Sequence, residues 1–260
     1  MYTLGIDIGS ASSKVVILKD GRDIVAEEVV QFGTGSSGPD RVLHQAFTKS
    51  GLTFDDMAKV VATGYGRFSV EQAQKQISEI SCHAKGIFFL VPTARTIIDI
   101  GGQDAKAIKL DKRGMVSQFF MNDKCAAGTG RFLEVMSRVL EVPLDKMAEY
   151  DSKASEVVSV SSTCTVFAES EVISHLSNNV PKENIIAGVH ASVASKACGL
   201  AYRTGLEEDI VMSGGVAQNE GVVRAISKEL QKKVIVAPHP QVVGALGAAL
   251  FAYDEAKKVQ

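Results

Sequence analysis

One segment of this sequence occurs twice. Gly5-Ile-Asp-Ile-Gly-Ser-Ala-Ser-Ser-Lys-Val-Val-Ile-Leu-Lys-Asp-Gly21 is answered 92 positions later by Ile97-Ile-Asp-Ile-Gly-Gly-Gln-Asp-Ala-Lys-Ala-Ile-Lys-Leu110, so that Asp7 aligns with Asp99, Gly9 with Gly101 and Lys14 with Lys106. A solenoid would need more copies at a period of about 20 to 50 residues, so the repeat argues for two duplicated lobes. In each copy β-branched residues lead into an Asp, a glycine bend and an alternating stretch, the pattern of strand, tight turn and strand. A β-hairpin therefore opens each lobe.

The remainder alternates between helix and strand patterns. After the first hairpin come a polar loop from Gly33 to Pro39, a helical stretch from Asp40 to Ser50, and a strand from Lys59 to Thr63 that ends in Gly64-Tyr-Gly-Arg67. After the second come Lys124-Cys-Ala-Ala-Gly-Thr-Gly-Arg131 and an amphipathic helix with Phe132, Val135, Met136, Val139 and Leu140 at helical spacing. Ser161-Ser-Thr-Cys-Thr165 leads into a further helix with Glu169 and Glu171 in its early turns, where acids suit the positive end of the helix dipole. An Ala-rich helix from Ile185 to Tyr202, a strand from Asp209 to Ser213, the turn Gly214-Gly-Val-Ala-Gln-Asn219, a helix to Lys232, a strand from Val234 to Ala237 and a small-residue helix from Gly244 to Lys258 complete the chain. This alternation predicts an α/β fold. The last helix is expected to return to the first lobe, which then comprises 1–94 plus 245–260, leaving 95–244 as the second. No Pro- or Ser-rich linker separates them.

Composition narrows the partners. The 28 Lys plus Arg against 30 Asp plus Glu leave a formal charge of −2, with no basic surplus for a nucleic acid backbone. The charge-free apolar run from Gln241 to Tyr253 falls short of the ~20 residues that cross a bilayer, so no membrane partner is expected. An acid at position 7 stands where a signal peptide needs an apolar core, and the expected location is the cytoplasm, where disulfides rarely persist. The four cysteines, Cys82, Cys125, Cys164 and Cys198, then need another explanation.

The glycine turns point to a nucleotide. A backbone that wraps phosphate oxygens needs residues without Cβ and with available amides. Gly9, Ser10, Ala11, Ser12, Ser13 and Lys14 offer amides, hydroxyls and an ammonium, and Gly101, Gly102, Gln103 and Asp104 offer a second cradle. Asp7 and Asp99, each at a strand end beside its turn, are placed to hold Mg²⁺ directly or through water. Gly214 and Gly215 precede a helix whose N-terminus can meet a phosphate or adenosine group, with Gln218 and Asn219 as candidates for ribose or adenine, or Asn219 as a helix cap. Neither a P-loop nor the dinucleotide fingerprint is present. The arrangement resembles the acetate and sugar kinase, heat-shock chaperone and actin superfamily. That resemblance implies two ribonuclease-H-like lobes, an actin-like ATPase fold, with ATP/ADP and Mg²⁺ in a cleft between them and hinge closure on nucleotide.

Two cysteines read as ligands. Cys125 and Cys164 each stand ahead of a helix among small and hydroxyl residues, where amides and the helix dipole favour a thiolate. Cys198, on a small-residue helix face, reads as packing, and Cys82 beside His83 has no second ligand pair. Iron-sulfur clusters take four Cys ligands, yet no Cys-x-x-Cys occurs. A cluster on the two-fold axis of a homodimer would receive Cys125 and Cys164 from each subunit, with four helix N-termini converging on it.

The segments Asn122-Asp-Lys-Cys-Ala-Ala-Gly-Thr-Gly-Arg-Phe-Leu133 and Ser161-Ser-Thr-Cys-Thr-Val-Phe-Ala-Glu-Ser-Glu-Val172, with Ala62-Thr-Gly-Tyr-Gly-Arg67 and the turn from Asp99 to Asp104, resemble the ATP-dependent activators of 2-hydroxyacyl-CoA dehydratases, the archerases. The resemblance implies a homodimer with one 4Fe-4S cluster between subunits. Such a protein takes an electron from ferredoxin or flavodoxin and passes it to the dehydratase, coupled to ATP hydrolysis. Gln103 is the expected residue for orienting water or sensing the γ-phosphate, with Asp104 as competitor. Arg67 and Arg131 are open between tying a hinge and facing the dehydratase. A small-molecule kinase of the same superfamily, a nucleotide-gated binding module and an ATP-hydrolysing subunit of a benzoyl-CoA reductase are the alternatives, and the acyl group is not legible because the partner binds it.

Overall fold

A computed structural model describes residues 1–161 and 163–258. Ser162 of the second cysteine segment and the last two residues of the expected first lobe lie outside the described residues. The chain divides into two compact units, 1–94 with 110–117 and 237–260, and 95–109 with 118–236. Residues 110–117 and 237–244, expected in the second lobe, fall in the first unit.

The first unit opens with β1 (Tyr2–Ile8), β2 (Ser13–Lys19) and β3 (Asp23–Val30), continues through α1 (Gly38–Ser50), β4 (Met57–Thr63), β5 (Lys75–Gln76) and α2 (Glu79–Leu90), and ends with α8 (Val243–Lys257). Its sheet runs β3-β2-β1-β4-β5, with β2 antiparallel and β4 parallel to β1. Side chains of a strand alternate between faces. Leu4, Ile6 and Ile8 bury against Val42 and Ala46 of α1, whereas Thr3, Gly5 and Asp7 face the other way, where the Thr3 hydroxyl donates to the Ala249 carbonyl at 3.1 Å. A Cβ on Gly5 would strike the backbone of Ala245 and Ala249, so α8 lies on β1 at the distance only glycine permits. Helix α1 begins with Pro39 in its first turn and stops at Gly51 in the left-handed conformation, φ 70°. Helix α2 was not anticipated from the pattern. Its signal is Ser78, whose side chain caps the helix by accepting from Ser81 N, with Glu79 in the first turn.

The second unit repeats the plan. The strands β6 (Thr96–Ile100), β7 (Ala105–Leu110) and β8 (Val116–Asn122) are followed by α3 (Gly130–Leu140), α4 (Met147–Asp151), α5 (Thr165–Ser177), α6 (Lys182–Thr204), β9 (Ile210–Ser213), α7 (Glu220–Leu230) and β10 (Val234–Val236). The sheet order is β10-β9-β6-β7-β8, with β7 antiparallel and β9 parallel to β6. Counted from its hairpin, each sheet has its third, second, first, fourth and fifth strands in that order, so the sequence repeat is a repeat of topology. A third meander strand, β3 or β8, extends each expected hairpin. Phe132, Leu133, Met136 and Leu140 of α3 join Val189, Val193 and Ala197 of α6 in one core under Ile98 and Ile100. Helix α6 has the length and hydropathy of a bilayer span, but most of that stretch is buried in this core.

Candidate functional site

The duplicated Asp–Lys pairs face each other across their hairpins. Asp7 of β1 pairs in register with Lys14 of β2, and Asp99 of β6 with Lys106 of β7. The two copies are unequal. Lys14 Nζ lies 3.4 Å from Asp7 Oδ2. Lys106, buried, reaches Asp99 Oδ2 at 3.2 Å and Asp104 Oδ2 at 2.6 Å, and the Ser213 hydroxyl donates to Asp99 Oδ1 at 2.7 Å. Both oxygens of Asp99 are thus engaged by protein, and the carboxylate of Asp7 is the less encumbered of the two. Asp104 belongs to this buried network, and its carbonyl also accepts from Gly101 N at 2.9 Å. Gln103 is exposed at the tip of the turn.

The first turn is narrower than its sequence suggested. Gly9 N donates to Ser12 O at 3.0 Å, which leaves Ser10, Ala11 and Ser12 at the bend, half-buried. Ser13 and Lys14 already belong to β2, and the Ser13 hydroxyl is spent on the Phe32 carbonyl at 2.7 Å. Ser13 and Lys14, considered for phosphate, are thus bonded within their own unit, Lys14 to Asp7 and Ser13 to the Phe32 carbonyl. Beside Asp7 stands His83 of α2. A Cβ on Gly244 would lie 2.9 Å from Asp7 Oδ2 and 3.1 Å from His83 Nε2, so both groups converge on the start of α8.

In the third turn Gly214 takes φ 86°, Gly215 and Gln218 are exposed, and Asn219 caps α7, its Oδ1 accepting from Gly221 N at 2.9 Å and Val222 N at 3.2 Å. Its side-chain nitrogen lies 3.2 Å from His190 Nε2. Asn219, considered for ribose or adenine, therefore spends its amide on helix and histidine. Arg67 donates to the Gly64 carbonyl at 2.9 Å and lies over Phe68, while Arg131 pairs with Glu134 at 2.9 Å, so each serves its own turn or helix.

The cysteines divide as their surroundings dictate. Cys82 and Cys198 are fully buried, and burial pushes both thiols up to about 12. They stay protonated and act as packing. Cys125 and Cys164 are half-exposed. Cys164 is the N-cap residue of α5 in extended conformation. Cys125 is not at a helix start. The turn from Ala126 to Gly128 intervenes, with Gly128 at φ 85°, and Thr129 is the N-cap residue of α3. The first amides of α3 are used elsewhere, since Gly130 N donates to Gly101 O at 2.9 Å and Arg131 N to Gly102 O at 2.8 Å. The expected convergence of two helix N-termini per chain on the cysteines is thus reduced to one. The carbonyl of Cys125 accepts from Asn122 Nδ2 at 2.9 Å, and its Sγ lies 3.7 Å from the carbonyl oxygen of Thr163, the neighbour of Cys164. Residues 39 positions apart therefore border one patch. Val166, Phe167 and Ile173 of α5 are exposed. Among the described residues no group of three or more His, Cys, Asp or Glu is placed to hold a metal ion. Two soft thiol donors suit iron or an iron-sulfur cluster, and they fill half of a four-thiolate set.

Residues 4–252 match the model of the BadF/BadG/BcrA/BcrD ATPase family. The activator of lactoyl-CoA dehydratase of Anaerotignum propionicum is 72% identical over 258 residues, covering 99% of this chain and 100% of that protein. The solved structure of the activator of the 2-hydroxyisocaproyl-CoA dehydratase from Clostridium difficile with bound ADPNP is 56% identical, with TM-score 0.97 over 100% of this chain and 97% of that one. Component A of the (R)-2-hydroxyglutaryl-CoA dehydratase of Acidaminococcus fermentans is 54% identical, with TM-score 0.95 over 99% of both chains. With its two equivalent five-stranded sheets and near-complete match, the chain has the actin-like ATPase fold and belongs to the BadF/BadG/BcrA/BcrD ATPase family.

Proposed function

We propose that this protein is an ATP-dependent activator of a 2-hydroxyacyl-CoA dehydratase, delivering single electrons from ferredoxin or flavodoxin to that partner in the cytoplasm. Its high identity to proteins named as such activators supports the partner class. The observation that carries the electron-transfer part is the placement of half-exposed Cys125 against the residue preceding half-exposed Cys164, with the other two thiols buried. Two such chains supply four thiolates, the usual complement of a 4Fe-4S cluster. When bound, the cluster supplies the one-electron carrier. Cys125 and Cys164 would hold it, and the exposed Val166, Phe167 and Ile173 offer apolar area beside it for the second subunit.

The nucleotide falls to the glycine turns. Asp7 is the carboxylate suited to hold Mg²⁺, because Asp99 is already tied to Lys106 and Ser213. Exposed Gln103 orients water or senses the γ-phosphate at the turn tip, while Lys106 holds Asp104 away from that task. The carbonyls of Gly101 and Gly102 accept the first amides of α3, so a change in this turn is felt at the helix that follows Cys125. ATP state and the cysteine patch are thereby joined by two hydrogen bonds.

The test is electron delivery. Reduced protein with ATP should make a 2-hydroxyacyl-CoA dehydratase competent, and omission of ATP or Cys164→Ser should abolish this while Mg-ADP still binds. Iron-free protein that phosphorylates a small-molecule hydroxyl or carboxylate would replace this reading with a kinase.

A further inference from the structure

Helix α6 touches the adenosine turn on one face and both cysteine segments on another. On the first face His190 is fully buried, with Nε2 3.2 Å from the Asn219 amide nitrogen. Because Asn219 Oδ1 is occupied as the cap of α7, its NH₂ is the donor and His190 Nε2 the acceptor. The network thus assigns the imidazole proton to Nδ1, which lies 3.4 Å from Asp151 Oδ2 of α4. That separation is longer than a well-formed hydrogen bond, and Nδ1 has no better one. Arg224 of α7 holds the same Asp151 oxygen at 2.9 Å. A Cβ on Gly221 would collide with His190 Nδ1 and lie 2.7 Å from Asp151 Oδ2, so the start of α7 is closed down on this pair. No sequence pattern announced the cluster.

The other contacts of α6 lie nearby. Ser192 is about 200° round the helix from His190, and Lys196, four residues further on, shares the face of Ser192. The Ser192 hydroxyl donates to the Ser161 carbonyl at 3.1 Å, at the entry to the Cys164 segment. The Cβ and Cγ of Lys196 lie 2.7 and 2.9 Å from where a Cβ of Gly128 would be, so the turn after Cys125 rests on this side chain. His190, Ser192 and Lys196 span less than two turns, roughly 9 Å of helix rise. A displacement imposed at His190 cannot be absorbed over so short a packed segment.

We propose that His190 is a positioning residue that couples occupancy of the adenosine turn to the cysteine segments through α6, with Asn219 reporting the turn and Asp151 holding the imidazole. The inference rests on the nucleotide reading above and adds to it a second route, independent of the Gly101–Gly102 contacts with α3. Coupling of this kind is reciprocal and typically shifts an equilibrium by about 5- to 150-fold.

The test uses the full chain, reduced and free of iron, so that it does not depend on a cluster. Iodoacetamide modification rates of Cys125 and Cys164 are measured peptide by peptide with and without Mg-ADP, and Mg-ADP affinity is measured by calorimetry. Mg-ADP should change the rate at one or both cysteines by about fivefold or more. His190→Leu should at least halve that ratio, most of all at Cys164, which the Gly101–Gly102 route does not reach directly, and His190→Gln, whose amide oxygen can accept from Asn219, should restore part of it. General loosening would instead raise the rates with and without nucleotide together. If His190→Leu does not fold, Ser192→Ala, which deletes only the bond to Ser161, should lower the ratio. Variants that bind Mg-ADP and keep the unaltered ratio would overturn the coupling, as would an unmodified chain that binds Mg-ADP without any change in rate. A chain that does not bind Mg-ADP at all would overturn the nucleotide reading itself, and the coupling with it.

Discussion

Cys125 Sγ lies 3.7 Å from the carbonyl oxygen of Thr163, so the loop after β8 and the strand-like entry to α5 meet at the two cysteines that solvent can reach. A pair of thiols used for packing would be buried, as Cys82 and Cys198 are. The half-exposed pair on one border is what the proposed cluster shared between two chains requires.

Cys125→Ser and Cys164→Ser should each leave the protein without iron. Neither residue belongs to the nucleotide turns, so Mg-ADP affinity by calorimetry should stay within about threefold, less than a 1 kcal/mol change. Loss of nucleotide binding together with iron would mean that the cysteines hold the fold.

Thiol chemistry should separate the four cysteines. At pH 8 Cys125 and Cys164 of iron-free protein should react with iodoacetamide, whereas Cys82 and Cys198, pushed up to about 12 by burial, should not. The same shift makes stability pH-dependent at the alkaline end. The folded state keeps these protons while the unfolded chain loses them above about pH 9, so stability should fall as pH rises from about 9 toward 12. Urea midpoints across that range check the sign.

Lys106→Met should cost about 3–5 kcal/mol, because it removes the ammonium that the buried Asp99 and Asp104 carboxylates share. Adding Asp104→Asn should recover part of the loss. Lys14→Met, at a longer contact to a single carboxylate, should cost less than Lys106→Met. Urea unfolding of the four proteins measures all three values, and equal costs for the two lysines would contradict the asymmetry between the repeats.

Asn219→Ala should cost about 1 kcal/mol as a lost helix cap. Asn219→Asp keeps the capping oxygen but removes the donor to His190. Thermal unfolding with and without Mg-ADP should show the Asp variant stable alone and less stabilised by nucleotide.

The repeat was the most legible feature, because Asp7 and Lys14 recur as Asp99 and Lys106 at positions that strand register forces into contact. The burial of Cys198 was also legible, from the small residues around it on its helix face, as was the accessibility of Cys125 and Cys164 in hydroxyl-rich turns. What was not legible depended on side-chain competition. Nothing in the order of residues reveals that Ser13 bonds Phe32 or that Lys106 takes Asp104, since both are settled by which neighbour is nearer in three dimensions. The sequence pattern shows α3 only from Phe132, the first apolar residue of its buried face, whereas the helix begins at Gly130, where the Gly130 and Arg131 amides bond the Gly101–Gly102 turn. His190 of α6 meets partners from α4 and from the start of α7, and long-range polar clusters of that kind leave no periodicity to read.

A cluster shared by two chains fixes the ratio of iron to protein. Anaerobically purified protein, with its mass measured under native conditions, should contain about four iron and four sulfide per two chains, and all of both should be lost in Cys164→Ser. Four iron per single chain would mean that each chain holds its own cluster, and iron retained in that variant that Cys164 is not a ligand; either result rules out the shared cluster.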